Sequence, residues 1–204
     1  MSKFQKTEYY EALGVPALKP LLAEWIAVQR EYTLRTADYS PYYRERASTG
    51  FLAAAAWQAG GVALEEWTTA KGPRTNPRKG RCDLRIHWRK QSYYMEAKHI
   101  WSRAAAGPDR VVHDIQRELD RAVADAKLLQ CRRQDKFGIL FIAPFYVGKQ
   151  TNMSSRITTW LQGIYQIRHD AIAWLFPDTR KFKPYGTWVL PGIVLMVRSV
   201  AKRA

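Results

Sequence analysis

The chain has 204 residues, with 33 Lys and Arg against 18 Asp and Glu, which gives a formal net charge of +15 at pH 7. Its 47% of apolar residues can form a sizeable core, which excludes a disordered chain. Its apolar stretches are shorter than the ~18–20 residues of a membrane helix, and the N-terminus lacks an apolar leader segment. We therefore expect a single-domain cytoplasmic protein that binds a polyanion.

The hydrophobic periodicity predicts helices followed by alternating strands and helices. The first forty residues show helical spacing and are expected to form a helical extension over residues 1–43. Beyond it, the patterns predict helices at 44–58, 112–129 and 154–166, and strands at 62–69, 82–88, 92–100, 137–147, 171–176 and 187–199. This order is typical of an α/β (α+β) fold with a mixed central β-sheet flanked by helices.

Two neighbouring predicted strands carry charged side chains. Asp83 lies on the first strand, and Glu96 and Lys98 lie on the second. Glu96 and Lys98 are two positions apart, so they project from the same face of a strand. An antiparallel hairpin centred near Lys90 would bring Asp83 roughly opposite Glu96. The spacing thus predicts that the three side chains converge.

Such a group suits phosphodiester hydrolysis. Two carboxylates can bind Mg²⁺, which prefers oxygen ligands. The ion stabilises charge on phosphoryl oxygens and lowers the pKa of a bound water. A neighbouring lysine can orient that water or stabilise charge in the transition state.

The two segments resemble the motif of the PD-(D/E)XK superfamily of restriction-endonuclease-like nucleases. The residues that carry the resemblance are Arg81-Cys82-Asp83 and Tyr94-Met95-Glu96-Ala97-Lys98, with a predicted helix on either side. Cys82 stands where the family name has a proline. The resemblance covers roughly residues 44–147, which would form the catalytic core, and residues 148–204 would add a helix and strands that complete the sheet.

The resemblance implies a role for each motif residue. Asp83, Glu96 and the carbonyl group of Ala97 would bind Mg²⁺ or Mn²⁺, and Lys98 would assist the attacking water.

Two further positions match residues that are frequent in the family. Glu45 matches a glutamate on the preceding helix, and Gln116 matches a glutamine on the following one. Glu65 and Glu66 compete with Glu45 for the same role. His99 alternates away from Lys98 and is expected to be structural.

A cluster of basic residues precedes and surrounds Asp83. The predicted loop 71–80, rich in Pro, Gly and Asn, and the residue after it supply Lys71, Arg74, Arg78, Lys79 and Arg81. One interpretation is a solvated loop; the other is an arm that grips the nucleic-acid backbone, since Arg and Lys contacts to phosphates position a duplex without reading it. A second basic turn lies at residues 180–183.

These observations lead to one main hypothesis and two alternatives. The main hypothesis is a Mg²⁺-dependent deoxyribonuclease that acts on double-stranded DNA, as an endonuclease rather than an exonuclease, in defence, recombination or DNA processing. By resemblance, it would act as a homodimer or with a partner subunit. The first alternative is a non-catalytic nucleic-acid-binding module that retains the nuclease fold. The second is a basic structural or assembly protein.

Overall fold

Helices and strands alternate along the chain in the computed structural model, which describes residues 2–38, 40–73, 75–131, 136–148, 152–177 and 187–200. The helices are α1 (Lys19–Thr36), α2 (Arg44–Gln58), α3 (Pro108–Leu128) and α4 (Met153–Tyr165). The strands are β1 (Glu8–Glu11), β2 (Val62–Lys71), β3 (Arg78–Trp88), β4 (Gln91–Arg103), β5 (Lys136–Val147), β6 (Ala171–Leu175), β7 (Trp188–Val189) and β8 (Ile193–Ser199).

The strands form a mixed sheet in the order β1-β6-β8-β5-β4-β3-β2, and β7 pairs with β5. β4 and β5 run parallel. The other pairs are antiparallel. The connection from β4 to β5 passes through α3, as a parallel pair requires a crossover. The predicted mixed α/β sheet with flanking helices is thus confirmed.

Strand β5 separates the two hydrophobic layers of the protein. Phe137, Ile139 and Phe141 pack in a cluster with residues of α1 and α2. Leu140 and Ile142 pack on the other face with residues of α3 and α4. Burial on both faces explains why the sequence of β5 is almost continuously apolar.

A tight hairpin connects β3 to β4. Trp88 pairs with Gln91, and the two residues between them, Arg89 and Lys90, have φ angles of 48° and 66°. Two consecutive left-handed residues match the type I′ turn, whose twist suits antiparallel strands. The predicted hairpin centred near Lys90 is therefore confirmed.

The prediction of a helical N-terminal extension was wrong for its first part. Residues Glu8–Glu11 form the edge strand β1, which pairs with β6, and the α-helix begins only at Lys19. The tertiary structure decides this, because the ring of Tyr9 stacks on that of Trp174, with centroids 4.5 Å apart. A four-residue edge strand carries too little periodicity to be recognised locally.

Two predicted boundaries also need correction. The loop predicted at 71–80 is shorter in the structure. Strand β2 extends to Lys71 and β3 begins at Arg78, and these two residues are paired. The predicted strand 187–199 is divided into β7 and β8 around Pro191-Gly192, since proline lacks the N–H that a ladder needs.

Both cysteines remain thiols. Cys82 is buried, whereas Cys131 is partly exposed. Across the described residues, no helix is long and apolar enough to cross a membrane.

Candidate active site at the fork of the sheet

Strands β3 and β4 separate in the middle of the sheet and form a fork. Their pairing runs from Trp88 and Gln91 to Leu84 and Met95. Beyond this point β3 remains paired with β2, and β4 remains paired with β5. Asp83 and Glu96 are the next residues on the two diverging strands, so they lie at the base of the fork.

The alternation of side chains sets the direction in which the carboxylates point. Leu84 and Met95 belong to the hydrophobic cluster shared with α1 and α2. Since successive residues of a strand point to opposite faces, Asp83 and Glu96 point to the face covered by α3. The register of β3 against β4 therefore produces the predicted convergence of Asp83 and Glu96.

Asp83 bridges the fork. Its Oδ2 accepts a hydrogen bond of 2.7 Å from the backbone N–H of Ala97. The carbonyl oxygen of Ala97 in turn accepts a hydrogen bond of 3.1 Å from Lys98 Nζ. These two contacts connect three of the predicted site residues along one short path.

Glu96 is buried and carries a perturbed pKa. Its side chain is 4% exposed, and Lys71 Nζ lies 2.8 Å from each of its carboxylate oxygens. Burial raises the pKa of Glu96 to about 7, and the charge of Asp83 acts in the same direction, whereas Lys71 and Lys98 lower it. A carboxyl group with such a pKa, next to a second carboxylate, is a typical feature of functional sites.

Lys98 forms an ion pair that sequence reasoning missed. Its Nζ lies 2.7 Å from Oδ2 of Asp125, on α3. Burial opposes the charge of Lys98, but the hydrogen bond and charge of Asp125, together with the charges of Glu45 and Asp83, raise its pKa. A signal for Asp125 was present in the sequence: it stands three residues after Ala122 and one before Ala126, at the edge of the buried stripe of α3.

Glu45 belongs to the same electrostatic group. It lies in the first turn of α2 and is half-buried. Burial raises its pKa, Lys98 lowers it, and Asp83 and Asp125 raise it further.

The competing glutamates on β2 have different surroundings. Glu66 forms an ion pair of 3.1 Å with Arg81 and has a φ angle of 53°. Burial and the charge of Glu66 raise the pKa of Glu65. The pKa of Glu45 therefore responds to Lys98 and Asp83, whereas that of Glu65 responds to Glu66.

Gln116 is not brought into this group. Its amide donates a hydrogen bond of 2.9 Å to Asp120. Gln116 precedes Asp125 by nine positions on α3, which corresponds to roughly 13 Å along the axis and about two and a half turns. It therefore lies on the other side of the helix from Asp125.

The basic residues of the arm have different environments. Lys71 points inward to Glu96, and Arg81 pairs with Glu66. Arg78 and Lys79 are exposed on β3. Arg74 and the basic turn at 180–183 lie outside the described residues.

The donor set at the fork fits a hard divalent cation. Asp83, Glu96 and the carbonyl of Ala97 offer oxygen ligands, as Mg²⁺ and Mn²⁺ prefer. Within the described ranges, no three Asp, Glu, His or Cys side chains already form a metal-binding group. The ammonium group of Lys71 lies against both oxygens of Glu96, where a cation would bind.

The softer ligands nearby are engaged elsewhere or are inaccessible. Cys82 is fully buried, its Sγ contacts the carbonyl groups of Leu84 and Met95, and burial raises its pKa to about 12. Burial, with the charge of Arg44, lowers the pKa of His99 to about 4. His99 packs against Trp101, with ring centroids 6.4 Å apart.

Comparisons with known proteins found no matching family model, no similar curated protein and no similar solved structure.

Proposed function

We propose that the protein is a metal-dependent nuclease that hydrolyses phosphodiester bonds in DNA, and that it acts as an endonuclease. The observation that carries the proposal is the convergence of Asp83, Glu96 and Lys98 at the fork between β3 and β4, with Glu45 within electrostatic reach of Lys98 and Asp83. The likeness of the motif to PD-(D/E)XK nucleases supports the same conclusion, with a role in defence, recombination or DNA processing.

Each residue of the fork has a role in this reaction. Asp83, Glu96 and the carbonyl of Ala97 would hold Mg²⁺ or Mn²⁺. The bound ion would stabilise charge on the phosphoryl group and acidify a water. Lys98 stays protonated because Asp125 raises its pKa, so it can donate a hydrogen bond to the attacking water or to a phosphoryl oxygen. Glu45 lies within electrostatic reach of Lys98 and can accept a hydrogen bond from that water.

The charge of the chain supports a nucleic-acid substrate. A net charge of +15 attracts polyanions, and Arg78 and Lys79 are exposed on β3, the strand that carries Asp83. Arg and Lys contacts to phosphates fix the position of a duplex on a protein. Binding through such contacts weakens steeply as salt is added.

A cleavage assay on supercoiled plasmid tests the proposal. Wild type, Lys98→Ala and Lys127→Ala are compared with Mg²⁺, with Mn²⁺ and with EDTA. Lys127 is an exposed lysine in the last turn of α3, so its loss matches the charge change of Lys98→Ala. We expect metal-dependent nicking or linearisation by wild type and Lys127→Ala, and none by Lys98→Ala. Plasmid that is shifted on a gel but stays intact with every metal would contradict the proposal.

A second candidate is a non-catalytic nucleic-acid-binding module. The observation in its favour is that the charged groups of the fork have partners within the protein: Lys71 for Glu96, Asp125 for Lys98 and the Ala97 N–H for Asp83. Such a network can be structural. This candidate predicts DNA binding that EDTA does not change, and no cleavage.

A further inference from the structure

Lys71 is fixed at the entrance to the fork by backbone contacts with the end of α3. It forms an isolated bridge with Leu129. On either side of it, the N–H of Gly72 donates to the carbonyl of Leu128 at 2.8 Å, and the N–H of Gln130 donates to the carbonyl of Ala70 at 2.9 Å. The last residue of β2 is therefore held against the helix that also carries Asp125.

The side chain of Lys71 joins this rigid backbone to a buried carboxylate. Its Nζ is 2.8 Å from Glu96 Oε1 and 2.8 Å from Oε2, so it contacts both oxygens of the carboxylate. The side chain of Glu96 is 4% exposed, whereas that of Lys71 is 24% exposed. Of the two side chains, it is therefore the more exposed and flexible Lys71 that can swing outward.

Two carboxylates lie close together at this point, because Asp83 Oδ2 accepts a hydrogen bond of 2.7 Å from the N–H of Ala97, the residue after Glu96. Two neighbouring anions in a partly buried site are costly without a cation. An ammonium group in contact with both oxygens of Glu96 supplies that cation without a metal ion. A divalent ion on Glu96 would bind one or both of these oxygens, and Lys71 already contacts each of them.

We propose that Lys71 is an internal counter-ion that competes with the divalent cation for Glu96. The inference rests on the proposed function, because it assumes a metal site at Asp83 and Glu96. To bind, the metal must displace the ammonium group of Lys71 towards solvent. Lys71 belongs to the basic arm, so a phosphate of the nucleic acid can receive the displaced ammonium group.

Mn²⁺ binding, measured by calorimetry at pH 8.5 without nucleic acid, tests this competition. Wild type is compared with Lys71→Met, with Lys71→Arg and with the matched charge control Lys127→Met. We expect Lys71→Met to bind Mn²⁺ about tenfold more tightly, since one broken ion pair of roughly 1.4 kcal/mol corresponds to a factor of ten. Lys71→Arg retains the counter-ion and should stay near the wild type, as should Lys127→Met.

A labelling experiment tests the same competition on the wild-type protein alone, so its result does not depend on whether a variant folds. The reactivity of Lys71 towards an amine-acylating reagent is measured by mass spectrometry with and without Mn²⁺. We expect low labelling without metal, because the ammonium group is held by Glu96, and a several-fold increase with saturating Mn²⁺.

The outcomes separate this inference from the proposed function. Metal binding of equal strength in wild type and Lys71→Met, or labelling that Mn²⁺ leaves unchanged, overturns the competition but leaves the metal site. Mn²⁺ binding that is absent from wild type and Lys71→Met alike, or that Asp83→Asn leaves intact, overturns the metal site and the inference with it.

Discussion

Lys98 Nζ, on β4, lies 2.7 Å from Oδ2 of Asp125, on α3. The pair connects the central sheet to the helix that covers the fork. The pair also holds the amino group of Lys98 near the carbonyl of Ala97, to which Lys98 donates a second hydrogen bond. Asp125 is therefore expected to position Lys98 and to keep it charged.

Asp125→Asn should shift the pH dependence of the proposed DNA cleavage. Asp125 raises the pKa of Lys98, so its loss lowers that pKa. Lys98 stays protonated below its pKa, so the alkaline limb of the pH–rate profile should move to lower pH. The measurement is the initial cleavage rate with Mg²⁺ as the pH is raised from 7 to higher values. The control is Asp114→Asn, a surface aspartate of α3 that pairs with Arg117, and a profile that both variants leave unchanged would contradict the role of Asp125.

Substitutions of Asp83 should separate folding from activity. Asp83→Ala removes the acceptor for the Ala97 N–H and should cost roughly 1–3 kcal/mol of unfolding free energy. Asp83→Asn keeps an acceptor oxygen, so it should be closer to wild type in stability while it loses metal-dependent cleavage. Urea denaturation and the plasmid assay measure the two effects. Equal loss of stability in both variants would show that the hydrogen bond contributes little.

Gly138→Ala should loosen the packing of α3 on the sheet. A Cβ at this position of β5 would lie 2.7 Å from the backbone carbon of Ala122, which is closer than real Cβ contacts. Helix α3 must shift to make room, which should lower the unfolding free energy by roughly 1–3 kcal/mol. The same shift should weaken the Lys98–Asp125 pair. At Gly163 in α4, the nearest atom to an added Cβ is 3.7 Å away. Gly163→Ala should instead raise the unfolding free energy by about 0.5–1 kcal/mol. Urea denaturation measures the unfolding free energy of both variants.

Glu11 should make the unfolding free energy of the protein depend on pH under acidic conditions. Burial opposes its charge, but hydrogen bonds from Tyr165 and Tyr9 and the charges of Lys3 and His169 lower its pKa below 4.5. A carboxyl group with a lowered folded-state pKa stabilises the fold above the unfolded value, and the contribution is lost as the pH falls through the folded value.

The difference in unfolding free energy between wild type and Glu11→Gln should therefore be constant near neutral pH and shrink below about pH 4.5. Chemical denaturation at several pH values measures it. The control is Glu8, which lies on the same strand as Glu11 and forms an exposed pair with Arg30 of α1. Glu8→Gln should cost under about 1 kcal/mol of unfolding free energy. A constant difference down to low pH would exclude the network around Glu11 as its cause.

Much of the local structure follows from the sequence, because it depends on neighbouring residues. The helix at 44–58 was predicted with the bounds that α2 has, since a run of alanines favours helix and Gly60-Gly61 ends it. The hairpin around Lys90 follows from the alternation of Leu84, Ile86 and Trp88. This hairpin by itself brings Asp83 and Glu96 close together on the two strands.

Other features depend on residues that are far apart in the chain. The strand β1 exists because β6, more than 160 positions later, offers an edge to pair with. The family resemblance points to Gln116, but the pitch of α3 turns it away from the position that Asp125 occupies.

The sequence by itself determined which residues carry charge, where the strands alternate and which three side chains converge. The tertiary structure alone decided the partners of those side chains: Lys71 for Glu96 and Asp125 for Lys98. Periodicity fixes the face of a strand or helix to which a residue points, because it reflects local backbone geometry. Which opposing residue meets it depends on how α3 and β2 pack around the fork, and that packing is set by contacts along the whole sheet.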